Sequence, residues 1–213
     1  MPVVKEDISE ILGKDADLYI LEDDPQTICF RYPRLFQAES ILQVIRLEIG
    51  ALAAWTPSVE RKVTPYAAEC YPKAFEQRNT MILTAAAERT FWEKVTILHH
   101  EANRPENIEM PSRYSRHYYD LYSIAHSENK NLAYENLELL QKVVDFKMKF
   151  YPRRWAKYED AKPGTIKLVP PTYRLEVLKN DYIQMAEMMF GTYPSFQELM
   201  EYIAILEQEL NSL

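Results

Sequence analysis

Glycine is scarce in this chain: only four glycines occur among 213 residues, although glutamate, leucine, lysine and alanine are plentiful. Tight turns draw on glycine because it adopts backbone conformations that other residues avoid. The scarcity therefore disfavours an all-β architecture with many tight turns, and the abundant helix formers favour long helices. We expect a mostly helical chain.

Two further absences restrict the class of protein. No apolar run reaches the roughly 18 residues that cross a bilayer, and the first ten residues are charged rather than signal-like. Cys29 and Cys70 have neither the spacing of paired metal ligands nor the density of a disulfide scaffold. We expect a cytoplasmic protein with two free thiols and no membrane contact.

Positive charge is also in short supply, since 25 Lys and Arg residues face 32 Asp and Glu residues and give a net charge of −7. Binding nucleic acid through bulk charge needs a surplus of cations, so any such contact must be local. The best local patch consists of Lys142, Lys147, Lys149, Arg153, Arg154 and Lys157. Arg113 and Arg116 form a second patch. A solvated helix face explains both patches as well as an RNA contact does.

Apolar residues make up 47% of the chain, with eight Phe, three Trp and 15 Tyr. This is too much aromatic surface for a disordered protein, and the length allows one large core or a small domain joined to a larger one. The spacing of the apolar residues changes from strand-like to helical near Thr84. We predict an α+β fold, with a small mixed sheet in residues 1–83 and a helical bundle in residues 84–213.

Local patterns in the first third predict one short helix and four strands, at residues 5–13 and at residues 18–21, 27–32, 43–52 and 62–68. Asp23, Asp24 and Pro25 are turn formers that would join the first two strands as a hairpin. Pro65 would place the last strand at a sheet edge.

The remainder predicts helices at residues 84–103, 112–127 and 134–151 and two more near the C-terminus. Three prolines and a glycine in residues 162–171 predict an extended excursion. Ser195 is followed three residues later by Glu198, which predicts a capping box at the start of the last helix. A stripe of apolar residues behind it predicts a core face: Phe196, Leu199, Ile203, Leu206 and Leu210.

Glu48 is the first candidate for chemistry. A carboxylate inside an apolar strand is costly to desolvate unless a cation, a metal or a hydrogen-bond network compensates. Arg46 stands two residues away on the same face of the predicted strand. An ion pair between the two on an exposed sheet face explains the pattern without any function.

Two helices carry the next candidates. Lys94 follows Phe91 and Trp92 on a predicted helix and is either a surface lysine with a buried stem or a phosphate contact. Arg116 and Asp120 lie one helical turn apart and can support each other. A structural ion pair accounts for them equally well.

His99, His100 and Glu101 look like metal ligands, but adjacent helical positions point about 100° apart and do not converge on one ion. The sequence also lacks the zinc-protease histidine spacing, a phosphate-binding glycine loop, a serine nucleophile elbow and a cysteine-based zinc pattern. A helical metal-dependent phosphoesterase that uses these three residues with Asp120 is the least favoured reading.

Five segments, taken in order, resemble the AbiEii/AbiGii toxin family of the nucleotidyltransferase superfamily: residues 46–51 (RLEIGA), 88–99 (ERTFWEKVTILH), 115–122 (SRHYYDLY), 150–156 (FYPRRWA) and 163–170 (PGTIKLVP). Each is a weak string, but the ordered set is fairly specific. The resemblance implies a nucleotidyltransferase-like catalytic sheet followed by a helical bundle. It also implies metal-dependent transfer of a nucleotide from a nucleoside triphosphate.

The resemblance implies a role for each candidate residue. Glu48 would be the third metal-associated carboxylate, Lys94 a phosphate-contacting cation and Asp120 the group that orients Lys94 or the substrate. Arg46 and Arg116 would contact the substrate. Mg²⁺ or Mn²⁺ would be the cofactor of an active enzyme. The implied partners are a nucleoside triphosphate, tRNA and a cognate antitoxin protein. A second copy of the chain is a further expected partner, because a sheet without its first strands exposes an edge.

The sequence departs from the family pattern upstream of Glu48. The family begins with a Gly-Ser turn that grips phosphate, followed by an Asp-x-Asp pair that holds metal, and this sequence contains no Gly-Ser pair. Asp15 and Asp17 have the Asp-x-Asp spacing but follow no such turn. We therefore expect a nucleotidyltransferase-fold protein whose activity is impaired by the loss of these motifs. The alternative is a non-enzymatic module of the same fold that binds an antitoxin or RNA.

Overall fold

The computed structural model describes residues 1–13, 15–33, 35, 43–50 and 56–213. The chain divides into two units. The first unit comprises residues 1–53 and 187–190, and the second comprises residues 54–186 and 191–213. The domain boundary expected after residue 83 stays a prediction. The division by contacts places residues 54–83 with the helices that follow them.

The first unit holds one helix and one antiparallel sheet of strand order β1-β2-β3. Its elements are α1 (Pro2–Leu12), β1 (Asp17–Ile20), β2 (Thr27–Arg31) and β3 (Val44–Glu48). The hairpin turn between β1 and β2 is held by Asp24, whose carboxylate accepts hydrogen bonds from Thr27 Oγ1 at 2.6 Å and from the Gln26 amide at 3.2 Å. The predicted hairpin is thus confirmed, and the aspartate acts as the turn former for a defined reason.

β3 is shorter than the strand predicted for residues 43–52. It ends at Glu48, and residues 51 and 52 of the prediction lie outside the described residues. The register places Arg46 opposite Cys29 and Glu48 opposite Thr27. Both of these β2 residues are buried, so the small core of this unit lies under β2.

The second unit opens with an antiparallel hairpin of β4 (Ser58–Val63) and β5 (Thr80–Ala85), which pair from Ser58 opposite Ala85 to Val63 opposite Thr80. Between them lie α2 (Tyr66–Cys70) and a 3-10 turn, Pro72–Ala74. The predicted strand at residues 62–68 is therefore wrong after Val63, the last residue of β4. Pro65 stands at the N-cap of α2, where its missing amide hydrogen costs nothing, and two alanines then favour helix.

Six helices of the second unit follow: α3 (Ala87–Ala102), α4 (Arg116–Ala125), α5 (Asn129–Tyr134), α6 (Leu137–Phe150), α7 (Leu175–Gln184) and α8 (Phe196–Asn211). α3 contacts α4, α5 and α6, and α8 contacts α4. The buried residues of α3 explain its central position, since four large apolar side chains of this helix are fully buried: Phe91, Trp92, Val95 and Leu98. The core of the second unit is therefore built around α3.

The helix predicted at residues 134–151 is α6, which begins later, at Leu137, because Tyr134 is the last residue of α5. The break lies at Asn136, whose side-chain oxygen accepts a hydrogen bond from the Leu139 amide at 3.2 Å and caps α6. Asparagine competes well for such a position because its side chain satisfies an amide that the helix leaves open. The capping residue was visible in the sequence, although the helical pattern runs past it.

The last helix has the predicted start and the predicted buried face. Ser195 Oγ accepts from the Glu198 amide at 3.2 Å, and the Ser195 amide donates to Glu198 Oε2 at 2.7 Å. The four inner stripe residues are fully buried, and Phe196 is partly buried: Leu199, Ile203, Leu206 and Leu210 form the inner set. The capping box and the core face of α8 are confirmed.

The fold class is confirmed as α+β and mostly helical, with the described strands in small antiparallel sheets. Residues 161–171 contain neither an α-helix nor a strand, in agreement with the predicted excursion. In the described ranges, no helix is both long enough and apolar enough to cross a membrane.

Candidate functional site

Lys94 lies in the middle of α3 and meets two side chains of α4. Its Nζ donates to Asp120 Oδ2 at 2.6 Å and lies 3.1 Å from His117 Nδ1. His117 and Asp120 are three residues apart, so they share one face of α4, and that face is turned toward α3. The structure thus brings together Lys94 and Asp120, two of the residues singled out from the sequence.

His117 is buried and electrically neutral at neutral pH. Burial lowers its pKa from 6.5 to about 3, and the positive charges of Lys94, Arg116 and Lys147 act in the same direction. A neutral imidazole has one nitrogen that accepts, so Nδ1 accepts from the Lys94 ammonium and Nε2 carries the proton. His117 therefore holds Lys94 as a hydrogen-bond acceptor and adds no charge of its own.

The arrangement leaves one donor of Lys94 available. An ammonium has three N–H groups, and Asp120 and His117 take two of them. The Lys94 side chain is 18% exposed and that of Asp120 is 38% exposed, so the pair is reachable from solvent. A fixed, partly desolvated cation with one spare donor is suited to binding an anionic oxygen.

Arg116 is exposed at the first residue of α4. In the described part of the chain no ion pair joins it to Asp120, because Asp120 pairs with Lys94 on the other helix. Its contact with the site is electrostatic, since its charge helps to lower the pKa of His117. The expected role of Arg116 in substrate binding stays a prediction.

Glu48 and Arg46 lie on β3 in the first unit, and both are exposed. Within the described ranges no ion pair joins them. The desolvation cost inferred from the sequence does not arise, because Ile45 and Leu47 are themselves exposed, at 59% and 44%. The apolar spacing of this strand thus does not report a buried environment, and the roles of Glu48 and Arg46 stay predictions.

The reading of His99, His100 and Glu101 as metal ligands is wrong for the described residues, which include no group of three His, Cys, Asp or Glu side chains able to hold an ion. His99 is buried, and both of its ring nitrogens meet backbone groups, the Lys157 carbonyl at 2.9 Å and the Lys167 amide at 3.0 Å. His100 Nδ1 lies 2.8 Å from the Tyr158 hydroxyl. These side chains fix the fold rather than a metal.

The absence of such a group of ligands among the described residues also concerns the binding of Mg²⁺ or Mn²⁺. Glu48 is one carboxylate, and Asp17 is committed to an ion pair with Arg31 at 3.2 Å on the hairpin. Without a cluster of three ligating side chains, the described residues do not build a two-metal centre by themselves. A divalent ion here would take most of its ligands from elsewhere.

Sequence reasoning missed His117 and treated Lys147 only as part of a surface patch. Arg89 was missed as well: it is 2% exposed, and it donates from Nε to Glu93 Oε1 at 3.0 Å and from Nη1 to the Thr56 carbonyl at 2.6 Å. A signal for Lys147 was present, because it stands four residues after Val143 and continues the apolar face of α6.

The lowered pKa of His117 predicts a specific dependence of stability on pH. In the unfolded chain this histidine takes up a proton near pH 6.5, whereas in the folded protein it does so only near pH 3. Its contribution to stability is therefore full above pH 6.5 and is lost as the pH falls toward 3. We expect the free energy of unfolding of the His117→Gln variant to fall less steeply than that of the unaltered protein between pH 7 and 4 in urea titrations. Parallel slopes would contradict the buried, neutral state.

Comparisons with known proteins bear on this site. Searches of curated proteins and of solved structures gave no match. A sequence profile of the family described as "Nucleotidyl transferase AbiEii toxin, Type IV TA system" matches residues 2–202. This range covers nearly the whole chain and includes Glu48, Lys94, His117 and Asp120. The chain therefore belongs to the AbiEii nucleotidyl transferase toxin family of type IV toxin–antitoxin systems.

Proposed function

We propose that this chain transfers a nucleotide from a nucleoside triphosphate to an RNA or protein acceptor. The observation that carries the proposal is the fixed cation of the second unit, in which Asp120 holds the Lys94 ammonium at 2.6 Å and His117 lies 3.1 Å from it. Membership in the AbiEii family supports the same class of reaction.

The residues of this site act by binding and positioning. Charge accumulates on phosphate oxygens during nucleotidyl transfer, and a cation that is already in place lowers the barrier without reorganising. Lys94 has one spare donor for such an oxygen. Asp120 and His117 hold the ammonium in place, and the neutral state of His117 keeps Lys94 from being repelled.

Mg²⁺ or Mn²⁺ is the proposed cofactor, with Glu48 as its proposed protein ligand. When bound, such an ion neutralises phosphate charge and orients the reacting groups. Magnesium is commonly held by one or two carboxylates together with waters and substrate phosphates. Because the described residues do not build a complete metal centre, no step of the mechanism is assigned to the ion.

The proposed acceptor and inhibitor follow from the family, and the proposed assembly follows from the edge that β3 leaves open among the described strands. We expect tRNA as the acceptor, a cognate antitoxin as the inhibitor and a homodimer as the assembly, all in the cytoplasm. Arg46 and Arg116 are the proposed contacts to the acceptor or to the nucleotide, since both are exposed cations on the matched segments.

The test is a transfer assay with purified protein, tRNA, labelled nucleoside triphosphates and either Mg²⁺ or Mn²⁺. We expect label transfer by the unaltered protein and at least a tenfold loss in Glu48→Ala, since a single metal-ligand or phosphate contact contributes that much or more. Glu60→Ala is the matched control, because Glu60 is an exposed glutamate on another strand. Absence of transfer with any metal would overturn the enzymatic proposal.

A second function, binding without catalysis, is favoured by one observation. Among the described strands of the first unit β3 pairs only with β2, and it exposes Ile45 and Leu47. Open strand edges with apolar side chains recruit partner strands. If transfer is absent while light scattering shows a dimer or RNA binds in a salt-sensitive manner, the binding module is the better account.

A further inference from the structure

Lys147 occupies a position that normally belongs to an apolar residue. On α6 the buried residues Leu140, Val143 and Val144 form one face, and Lys147 is the next residue on that face toward the C-terminus. α6 packs against α3. Lys147 is only partly exposed, in contrast to Lys142 and Lys149 on the same helix, which are exposed. Its stem is thus enclosed while its neighbours face water.

Among the described residues, the ammonium of Lys147 has no partner of opposite charge. No hydrogen bond or ion pair to it occurs within the described ranges, and the Tyr151 ring lies against it, with its centroid 5.3 Å from Nζ. Burial lowers the pKa of Lys147, and the charges of Arg89 and Lys94 lower it further, against an opposing influence of Glu93. A desolvated cation without a partner is costly.

Glu93, whose charge acts on Lys147, is already paired, and so is Asp120, the partner of Lys94. Glu93 is paired with Arg89 at 3.0 Å, and Asp120 is paired with Lys94 at 2.6 Å. Lys147 is the cation left over. α6, which carries Lys147, packs against α3, which carries Lys94, and the charges of both lysines lower the pKa of His117. Lys94 and Lys147 therefore lie on two packed helices, and both of their charges act on His117.

We propose that Lys147 is a second phosphate-binding cation, which together with Lys94 holds the polyphosphate of a nucleoside triphosphate. This rests on the proposed function of the same site. Two partly desolvated cations on packed helices suit a ligand with several closely spaced anionic oxygens. A phosphate of an RNA backbone would be met more easily by the exposed lysines of α6, Lys142 and Lys149.

The experiment measures binding of inorganic tripolyphosphate to the full chain by calorimetry, which requires no transfer reaction. We expect Lys147→Ala and Lys147→Met to weaken binding by about 10- to 100-fold, the effect of losing one charge-assisted contact. Lys142→Ala removes the same charge from the exposed side of the same helix, and its affinity should stay within about twofold of the unaltered protein because surface charges contribute little.

Thermal unfolding separates this role from a structural one. Lys147→Met keeps the stem on the core face and removes the unpartnered charge, so we expect its midpoint without ligand to be equal to or higher than that of the unaltered protein. Lys147→Arg keeps the charge and should retain most of the affinity. A Lys147→Met protein that is destabilised and binds tripolyphosphate normally would overturn the proposal.

The outcomes also distinguish this inference from the proposed function. If tripolyphosphate binds in a Lys147-dependent manner but no nucleotide is transferred, the phosphate site stands and the enzymatic proposal fails. If Lys147→Ala weakens tRNA binding and leaves tripolyphosphate binding unchanged, the residue contacts RNA and the inference is wrong. If the unaltered protein does not bind tripolyphosphate, the inference is also wrong.

Discussion

The Lys94→Ala variant is expected to lose nucleoside triphosphate binding by about 100-fold or more, the largest functional effect that we expect from one substitution. The change removes the spare donor that would meet phosphate. It also leaves Asp120 without its cation, so that a carboxylate would now repel the incoming anion. Titration with a labelled nucleoside triphosphate measures the affinity, and Lys142→Ala again serves as the control of equal charge.

Two further variants sharpen this result. Lys94→Arg keeps the charge but spreads it over a planar group, so we expect only partial recovery of affinity. Asp120→Asn should retain the fold while loosening the ammonium, which lowers affinity less than the loss of Lys94 does. If Lys94→Ala bound the nucleotide as tightly as the unaltered protein, the pair between α3 and α4 would be structural and the site would lie elsewhere.

The Glu101→Leu variant is expected to lose about 3–5 kcal/mol of unfolding free energy, the largest effect on stability that we expect from a single charge. Glu101 Oε1 accepts from Arg104 Nε at 2.6 Å, and the two side chains are only 2% and 8% exposed. Removing the carboxylate leaves a buried guanidinium without its counter-charge. Urea unfolding of the single variant measures the loss.

Replacing both members of this pair separates two contributions to the loss of stability: the lost ion pair itself and the cost of burying the Arg104 guanidinium without a counter-charge. The double variant Glu101→Leu/Arg104→Met should recover much of the loss, because an apolar pair of similar volume needs no desolvation of charge. Recovery will not be complete, since Arg104 also donates to the Glu109 carbonyl at 3.2 Å and lies 4.9 Å from the Trp155 ring. A double variant as unstable as the single one would mean that these other contacts dominate.

Much of the fold could be predicted because its signals are local. The capping box of Ser195 and Glu198 and the turn at Asp24 each lie within four residues, and the interactions that they predict are the ones formed. The hairpin of β4 and β5 could not be predicted, because α2 and a 3-10 turn separate its strands. In β5 the successive residues Met81, Ile82 and Leu83 are all exposed, at 57%, 45% and 55%, so no alternation of burial marks the strand.

The candidate site shows the same limit. Family resemblance singled out Lys94 and Asp120, and the structure places them in contact. No spacing along the chain could show that the charges of Lys94 and Lys147 both act on His117, because the three residues lie on three different helices. Glu48 shows the converse, since its apolar neighbours indicated a buried strand although the strand is exposed. Contacts between helices depend on tertiary packing, which short patterns do not encode.

Residues 166–169, in the excursion between α6 and α7, are held by side chains. These side chains form the hydrogen bonds that a neighbouring strand would otherwise supply to the backbone. The side-chain amide of Asn211 accepts from the Ile166 N–H through Oδ1 and donates to the Ile166 carbonyl through Nδ2, each at 2.9 Å. Glu207 accepts from the amides of Leu168 and Val169, and His99 accepts from that of Lys167. The backbone amides of four consecutive residues, 166–169, thus each donate a hydrogen bond to a side chain of α3 or α8. Side chains of α3 and α8 therefore determine the position of each residue in this segment. A segment without regular secondary structure can thus have a register as well defined as that of a strand in a sheet.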